Sequence, residues 1–112
     1  MNTIDTLTKV LEERRSADPK SSYVASLYAA GLDRILKKVA EEAGEALIAA
    51  KNVEGTGRDE ALIGEVADLW FHTMVMLVHL NQQPVWVLEE LASRFGVSGH
   101  VEKADRTTSQ ID

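Results

Sequence analysis

Apolar residues recur every three or four positions along most of the chain, which predicts amphipathic helices rather than strands. The first helix is expected to start at Thr3 as N-cap and to fade in the charged residues 12–15. A loop over residues 16–22 then leads to a short helical stretch, residues 23–30, which we expect Gly31 to cap.

Two long helices follow, separated by the glycines of residues 55–57. The pattern predicts the first of them over about residues 32–52. Its apolar stripe consists of Leu32, Ile35, Val39, Ala43, Ala46, Leu47 and Ala50. The second begins with a leading stripe of Leu62, Val66, Leu69, Thr73, Met76 and Leu80. It then becomes apolar on nearly all sides, so we expect it to be central and buried.

A last helix is bounded by Pro84 at its first position and by Gly96 as its C-terminal stop. Residues 97–112 are polar and are expected to form a loosely held tail. The pattern therefore predicts an all-α fold, a bundle of four to five helices in a single domain over residues 1–112. A chain of this length is too short for two separate cores.

The apolar surface of the second long helix exceeds what a monomer of this size can easily cover. Ile48 also points away from the stripe of its own helix. Burial against a second copy of the chain would cover both surfaces. We therefore expect a homodimer or higher homo-oligomer in which helices are shared across the interface.

Composition and charge narrow the classes of function. The formal charge of −6 at pH 7, without any basic run, argues against nucleic acid as a partner. The absence of cysteine excludes a disulfide framework, a thiolate zinc site and a cysteine nucleophile, and it fits a reducing cytoplasm. The N-terminus does not resemble a signal peptide, and the richest apolar stretch, residues 69–80, is too short to span a membrane.

Two pairs of acids at i,i+3 spacing are the strongest chemical signal: Glu42 with Glu45, and Glu65 with Asp68. The spacing places both carboxylates of a pair on one helix face. An isolated acidic pair usually lies on a solvent-exposed helix face and binds nothing. Glu42 and Glu45 alone would favour that interpretation. Glu65 and Asp68, however, lie on the most apolar helix, and four converging carboxylates repel each other unless a cation separates them. Oxygen ligands indicate Mg²⁺, with Mn²⁺ as an alternative.

Other polar residues lie close to these acids in the pattern. Lys38 shares the flank of Glu42, so it has the best claim to contact phosphates, with Lys37 in support, although lysines on a helix flank are usually only solvated. His72 follows Asp68 by one turn. It is either an orienting residue for the acids or a satisfied core histidine, and the second interpretation is favoured. His79 is expected to be structural or to lie at a subunit interface.

The acidic segments, residues 37–45 and 65–72, resemble the E-E-x-x-E and E-x-x-D signature of MazG-like all-α nucleotide pyrophosphatases. Within that superfamily the chain most resembles phosphoribosyl-ATP pyrophosphatase of histidine biosynthesis. Residues 22–31 are similar to that family's S-Y-T-A-x-L segment, with Val24 where threonine is usual. The resemblance extends over residues 22–95 and includes the order of the helices.

The resemblance implies hydrolysis of the α,β-phosphoanhydride of 1-(5-phosphoribosyl)-ATP to phosphoribosyl-AMP and pyrophosphate. Glu42, Glu45, Glu65 and Asp68 would be the catalytic acids and would hold Mg²⁺, while Lys38 and Lys37 would offset the charge of the phosphates. Phosphoribosyl-AMP cyclohydrolase would be the neighbour in the pathway. Two alternatives stay open from the residues themselves: a house-cleaning nucleoside triphosphate pyrophosphatase, and a non-enzymatic helical dimerisation module.

Overall fold

The computed structural model describes residues 2–96, which form five α-helices and one 3₁₀ turn without any strand in that range. The helices are α1 (Thr3–Glu13), α2 (Tyr23–Ala30), α3 (Leu32–Lys51), α4 (Glu60–His79) and α5 (Pro84–Phe95), and the 3₁₀ turn covers Arg14–Ser16. The predicted all-α fold and the order of its helices are confirmed. The predicted loose tail, residues 97–112, lies outside the described residues.

Short polar side chains cap the N-termini of three of the five helices, α1, α2 and α4. The Asn2 side chain accepts a hydrogen bond of 2.9 Å from the Asp5 amide, so the prediction of Thr3 as N-cap was wrong by one residue. Ser22 caps α2 and Asp59 caps α4, each by accepting a hydrogen bond from the amide three residues later. Such caps satisfy amides that have no partner inside the helix.

The other predicted helix boundaries are confirmed. Gly31 has φ of 102° and both ends α2 and precedes α3. A side chain at this φ would strain the backbone, which explains the glycine. Pro84 is the first residue of α5, and Gly96 ends that helix in the left-handed conformation.

The core lies around α4, which packs against α1, α3 and α5. Its most extensive contact is with α3, and the eight residues between these two long helices, residues 52–59, make them an antiparallel hairpin. The buried hydrophobic cluster consists of Leu11, Val24, Leu27, Ile35, Met74, Val75 and Val78. The prediction that this helix is central is therefore confirmed.

The predicted stripe of α4, in contrast, was wrong in its orientation, and that of α3 was right only in part. Helix α4 turns His72, Val75 and Val78 toward the core, whereas its predicted leading stripe is only half-buried or exposed. In α3, Ile35 and Ala46 of the predicted stripe are buried, together with Glu42, but Leu47 is 69% exposed. A helix that is apolar on most sides has no single preferred face, so the surrounding helices decide which side is buried.

Helix α4 is not buried on all sides within one chain, as expected from its excess of apolar surface. Only four of its residues are fully buried, and Trp70 is 64% exposed. Its C-terminal end is held by Arg15, whose guanidinium donates hydrogen bonds to the Val78 carbonyl and to the Asn81 side chain. The Val78 carbonyl also accepts a hydrogen bond of 3.0 Å from the Asn81 amide, so Arg15 adds a second donor at the end of this helix.

Candidate active site and metal centre

Three carboxylates converge between α3 and α4. Glu42, Glu45 and Glu65 each place one oxygen within 4.8 Å of the others, and we call these three residues the acid cluster. Glu42 and Glu45 lie one turn apart on α3, and the antiparallel hairpin brings Glu65 of α4 opposite them. The predicted convergence of acids from two packed helices is therefore present for three of the four residues.

Two members of the acid cluster, Glu42 and Glu65, are shielded from solvent, whereas Glu45 is exposed. Glu42 is only 8% exposed. The Oε2 atom of Glu65 is shielded from solvent and has no hydrogen-bond partner within residues 2–96. A buried carboxylate oxygen without a partner is unfavourable, so this atom indicates that a positively charged ligand belongs there.

The electrostatics of Glu65 support the same conclusion. Burial, and then the neighbouring Glu45 carboxylate, raise the pKa of Glu65 above its ordinary value, with smaller contributions from Asp68 and Glu42. Proton uptake is one way to relieve crowded negative charge, and cation binding is the other. The acid cluster therefore favours either protonation or a bound cation over the bare anions.

Asp68 lies beside the acid cluster but not within it. Its side chain is exposed, yet it is close enough to Glu65 to contribute to the raised pKa of that residue. Helical spacing places it one turn after Glu65 on the same face. Asp68 is therefore an exposed neighbour of the acid cluster, as Glu45 is an exposed member of it.

Lys38 is a positively charged side chain that lies beside the acid cluster. Its ammonium lies 3.4 Å from a Glu42 carboxylate oxygen and 3.7 Å from one of Glu41. Burial alone would lower the pKa of Lys38, but Tyr23, Glu42 and Glu41 outweigh it and raise the pKa. Lys38 is therefore held as an ammonium next to the acids.

Lys37 is placed differently from Lys38. It is exposed, and it forms no ion pair with the acids in the part of the chain that the structure describes. Adjacent residues on a helix point about 100° apart, so both lysines cannot face one site equally. The geometry brings only Lys38 to the acids.

His72 is a buried histidine, 6% exposed, with both ring nitrogens in hydrogen bonds. Nδ1 lies 2.8 Å from the Asp68 carbonyl oxygen, and Nε2 lies 2.8 Å from the Tyr23 hydroxyl. The favoured interpretation, a satisfied core histidine, is confirmed. The ring of His79 stacks on Tyr28 with 5.8 Å between centroids, which fits the structural alternative, and the interface alternative stays a prediction.

The Tyr23 contact with His72 was not anticipated from the sequence. Tyr23 begins a short helix that is 49 residues from His72 in the chain, and no local pattern connects the two. The same is true of the orphaned Glu65 oxygen, because the burial of one carboxylate atom depends on neighbours from another helix.

The donor set of the acid cluster fits a divalent cation. All three ligands are carboxylate oxygens, which hard cations prefer. Two oxygens bound to one Mg²⁺ at about 2.1 Å are at most about 4.2 Å apart, so oxygens within 4.8 Å need only a small side-chain adjustment. The unpartnered Glu65 oxygen provides a ligand that costs no existing hydrogen bond.

Clustered carboxylates with a lysine beside them can hold a divalent cation and attract phosphates, which are the requirements of metal-assisted phosphoanhydride hydrolysis. A family model described as phosphoribosyl-ATP pyrophosphohydrolase matches residues 4–95, and the chain belongs to that family. It is a phosphoribosyl-ATP diphosphatase of histidine biosynthesis. The match includes all six residues predicted for the site.

Family membership also determines the class of ligand. It implies a small nucleotide substrate and a divalent metal. The family is soluble, although α4 is the one helix in residues 2–96 that is long and apolar enough to cross a membrane. That is weak support for a membrane span, since the central helix of a soluble bundle meets the same criterion.

Proposed function

We propose that hydrolysis of phosphoribosyl-ATP by this enzyme depends on Mg²⁺, with Mn²⁺ as an alternative. Glu42, Glu45 and Glu65 would hold the cation, and Asp68 would join them from the solvent side. The observation that carries this proposal is the buried Oε2 atom of Glu65, which has no hydrogen-bond partner among the described residues. When bound, Mg²⁺ supplies positive charge that polarises the phosphoanhydride and offsets charge on the pyrophosphate that leaves.

The chain's own residues then have separate tasks. The carboxylates orient the substrate phosphates indirectly, by defining where the cation sits. Lys38 lies 3.4 Å from a Glu42 carboxylate oxygen. It would turn toward phosphate oxygens once the charge of Glu42 is engaged by the cation. Lys37, being exposed, would add only a weaker and more screened attraction for the phosphates.

We further propose that the enzyme is a homodimer or higher homo-oligomer. Exposed apolar side chains are numerous for a chain of this size. The large ones are Tyr23, Leu36, Leu47, Ile48, Ile63, Trp70, Leu80, Trp86, Val87, Leu88, Leu91 and Phe95. Several lie on α3 and α4 themselves, so a partner that covered them would also adjoin the acid cluster.

The remaining assignments are proposals that follow from the family. Residues 1–112 would form one pyrophosphatase domain that acts in the cytoplasm, and phosphoribosyl-AMP cyclohydrolase would use the product. The substrate experiment compares phosphoribosyl-ATP with a panel of ordinary nucleoside triphosphates, with pyrophosphate release as the readout. Preference for phosphoribosyl-ATP is expected, and equal turnover of the panel would favour the house-cleaning alternative.

The metal site is tested by single alanine substitutions of its four acids. Each of Glu42, Glu45, Glu65 and Asp68 is expected to lose about 100-fold or more in kcat, as removal of one group that stabilises transition-state charge typically does. Glu89→Ala, an exposed acid on α5, is the matched control and should keep full activity. Near-normal turnover by two of the four folded variants would overturn the assignment.

A further inference from the structure

The ring of Tyr23 is fixed at its hydroxyl end and open elsewhere. The hydroxyl lies 2.8 Å from Nε2 of His72, and the two rings meet at 82° with 5.8 Å between centroids. Because the hydroxyl end of the phenol points at the edge of the imidazole, His72 covers neither face of the Tyr23 ring. Tyr23 is 50% exposed, so a large part of this apolar ring is open to solvent.

His72 can hold Tyr23 in place because His72 is itself held. It is buried, its Nδ1 lies 2.8 Å from the Asp68 carbonyl oxygen, and the ring of Phe71 meets it edge-on at 88°. The phenol of Tyr23 is therefore an exposed aromatic surface with a fixed orientation. A surface that is ordered before a ligand arrives loses little conformational entropy on binding.

This open ring lies on the same side of α4 as the acids. Glu65, Asp68 and His72 lie within about 60° of one another around the helix axis. His72 follows Glu65 by seven residues, which is about 10 Å along the axis. Tyr23, bonded to His72, therefore lies farther along the helix face that carries Glu65 and Asp68.

The other exposed aromatic side chains of residues 2–96 lie elsewhere. Trp70 is about 140° from Glu65 around the axis of α4, and Trp86 and Phe95 belong to α5. Within the described part of the chain, Tyr23 is thus the exposed aromatic side chain that shares a face with the acid cluster. A ligand that is anchored by the acids and extends along this face would meet its ring.

The chemistry of the substrate supplies a group that suits an aromatic ring. When the α,β-phosphoanhydride lies at the acid cluster, the ribose separates the α-phosphate from the adenine, so the base lies several ångströms along the site. The family's substrate carries its phosphoribosyl group on N1 of that adenine. An adenine alkylated at N1 is an amidine base whose protonated form is favoured at neutral pH, whereas the adenine of ATP is neutral. The substrate base is therefore a flat, delocalised cation, and an aromatic face attracts such a group by stacking and by cation–π interaction.

We propose that Tyr23 is a specificity-determining residue whose open ring face stacks on the N1-ribosylated adenine of the substrate. The ring would favour this cationic base over the neutral adenine of ordinary ATP. His72 is then a positioning residue, since it holds the ring through the hydroxyl. The inference deepens the proposed function and rests on it, because the acid cluster must anchor the phosphates for the base to reach Tyr23.

A purely structural role is the competing explanation, since the Tyr23–His72 bond also fastens the start of α2 to α4. Two substitutions in the full chain separate the roles. Tyr23→Phe and Tyr23→Leu both lose the hydroxyl, so both should melt below wild type. Only Tyr23→Leu also loses the aromatic face. We expect KM for phosphoribosyl-ATP to rise about tenfold in Tyr23→Leu and to change less than about twofold in Tyr23→Phe, with kcat and Mg²⁺ affinity nearly unchanged in both.

Trp86→Leu is the matched control, because Trp86 is also 50% exposed but lies on α5. It should leave KM for phosphoribosyl-ATP unchanged. Equal rises in KM for Tyr23→Phe and Tyr23→Leu would show that the hydrogen bond matters and the ring does not, and would overturn the inference. An unchanged KM in Tyr23→Leu would overturn it as well.

Binding of a substrate fragment tests the preference without turnover. Calorimetry in the presence of Mg²⁺ compares 1-methyl-AMP, whose base is cationic, with AMP, whose base is neutral. Wild type should bind 1-methyl-AMP about fivefold more tightly than AMP, and Tyr23→Leu should bind the two almost equally. Absence of this preference in wild type, or its survival in Tyr23→Leu, would refute the role of Tyr23. Neither result affects the metal site, which fails separately if Glu65→Ala keeps near-normal turnover.

Discussion

Replacing Glu65 with glutamine removes one negative charge from the acid cluster and keeps nearly the same side-chain shape. In wild type without metal, the Glu65 carboxyl is crowded by Glu45, Asp68 and Glu42 and has a raised pKa. Folding therefore favours its protonated form. The stability contributed by that form is fully present below the pKa of the unfolded chain and is lost as pH rises through the higher pKa of the folded state.

Glutamine does not titrate in this range, so Glu65→Gln escapes that loss. In chelator the variant should melt at a higher temperature than wild type at pH 8, and the difference should shrink as the pH falls through the pKa of Glu65. Asp68→Asn should also raise the melting temperature in chelator, but by less, because Asp68 is exposed and lies outside the acid cluster. Glu89→Gln, on the exposed surface of α5, is the control and should show no such pH-dependent gain.

Added Mg²⁺, in contrast, should stabilise wild type more than it stabilises Glu65→Gln. At a Mg²⁺ concentration 100 times its dissociation constant, binding stabilises the folded state by about 2.7 kcal/mol. For a domain of this size that corresponds to a rise in Tm of about 10 °C. If the variant binds Mg²⁺ about 100-fold more weakly, the same concentration raises its Tm by only about 2 °C.

Differential scanning fluorimetry at one fixed protein concentration measures both effects, because assembly would otherwise make Tm concentration-dependent. Pyrophosphate release from phosphoribosyl-ATP, followed in parallel, should be poor in Glu65→Gln, as expected where function opposes stability. A variant that melts below wild type in chelator and keeps the full Mg²⁺ shift would refute the reasoning. Glu65 would then be an ordinary structural hydrogen-bonding residue.

Three further predictions concern other parts of the molecule. Lys38→Ala should raise KM or lower kcat and leave Mg²⁺ affinity unchanged or stronger. Weaker Mg²⁺ binding by calorimetry, with unchanged kinetics, would contradict the assignment of Lys38 to the substrate phosphates. Val75→Ala, at a fully buried core position, should cost about 2 kcal/mol in urea unfolding, and a change below about 0.5 kcal/mol would contradict the assigned core. Leu47→Glu should leave helicity intact and reduce the mass measured by light scattering, whereas a wild type that is monomeric at micromolar concentration would refute the proposed oligomer.

Local signals in the sequence were sufficient to predict the helices and most of the residues at which they begin and end. Gly31, Pro84 and Gly96 act through their own backbone preferences, so their effects do not depend on distant residues. The wrong N-cap of α1 has a similarly local cause. Asn2 and Thr3 are neighbours and both are good caps, and the choice between them depends on small differences in backbone geometry.

The amino-acid sequence by itself determined the helical architecture and the acidic pairs, because helical periodicity places residues at i,i+3 on one face whatever surrounds them. It also determined the family, through the resemblance of residues 22–31, 37–45 and 65–72 to the family's motifs. Tertiary structure alone decided which faces are buried. The neighbours of α4 select the side with His72 and Val75, although apolar residues are available on nearly every side.

The same division applies within the site. Sequence spacing proposed four equal acids and two lysines. Packing of α3 on α4 buried Glu42 and half-buried Glu65 and Lys38, but it left Glu45, Asp68 and Lys37 exposed. The buried Glu65 oxygen and the Tyr23–His72 bond arise only when separate helices meet. Burial and long-range hydrogen bonds depend on neighbours in space, and a periodic pattern along one helix contains no information about them.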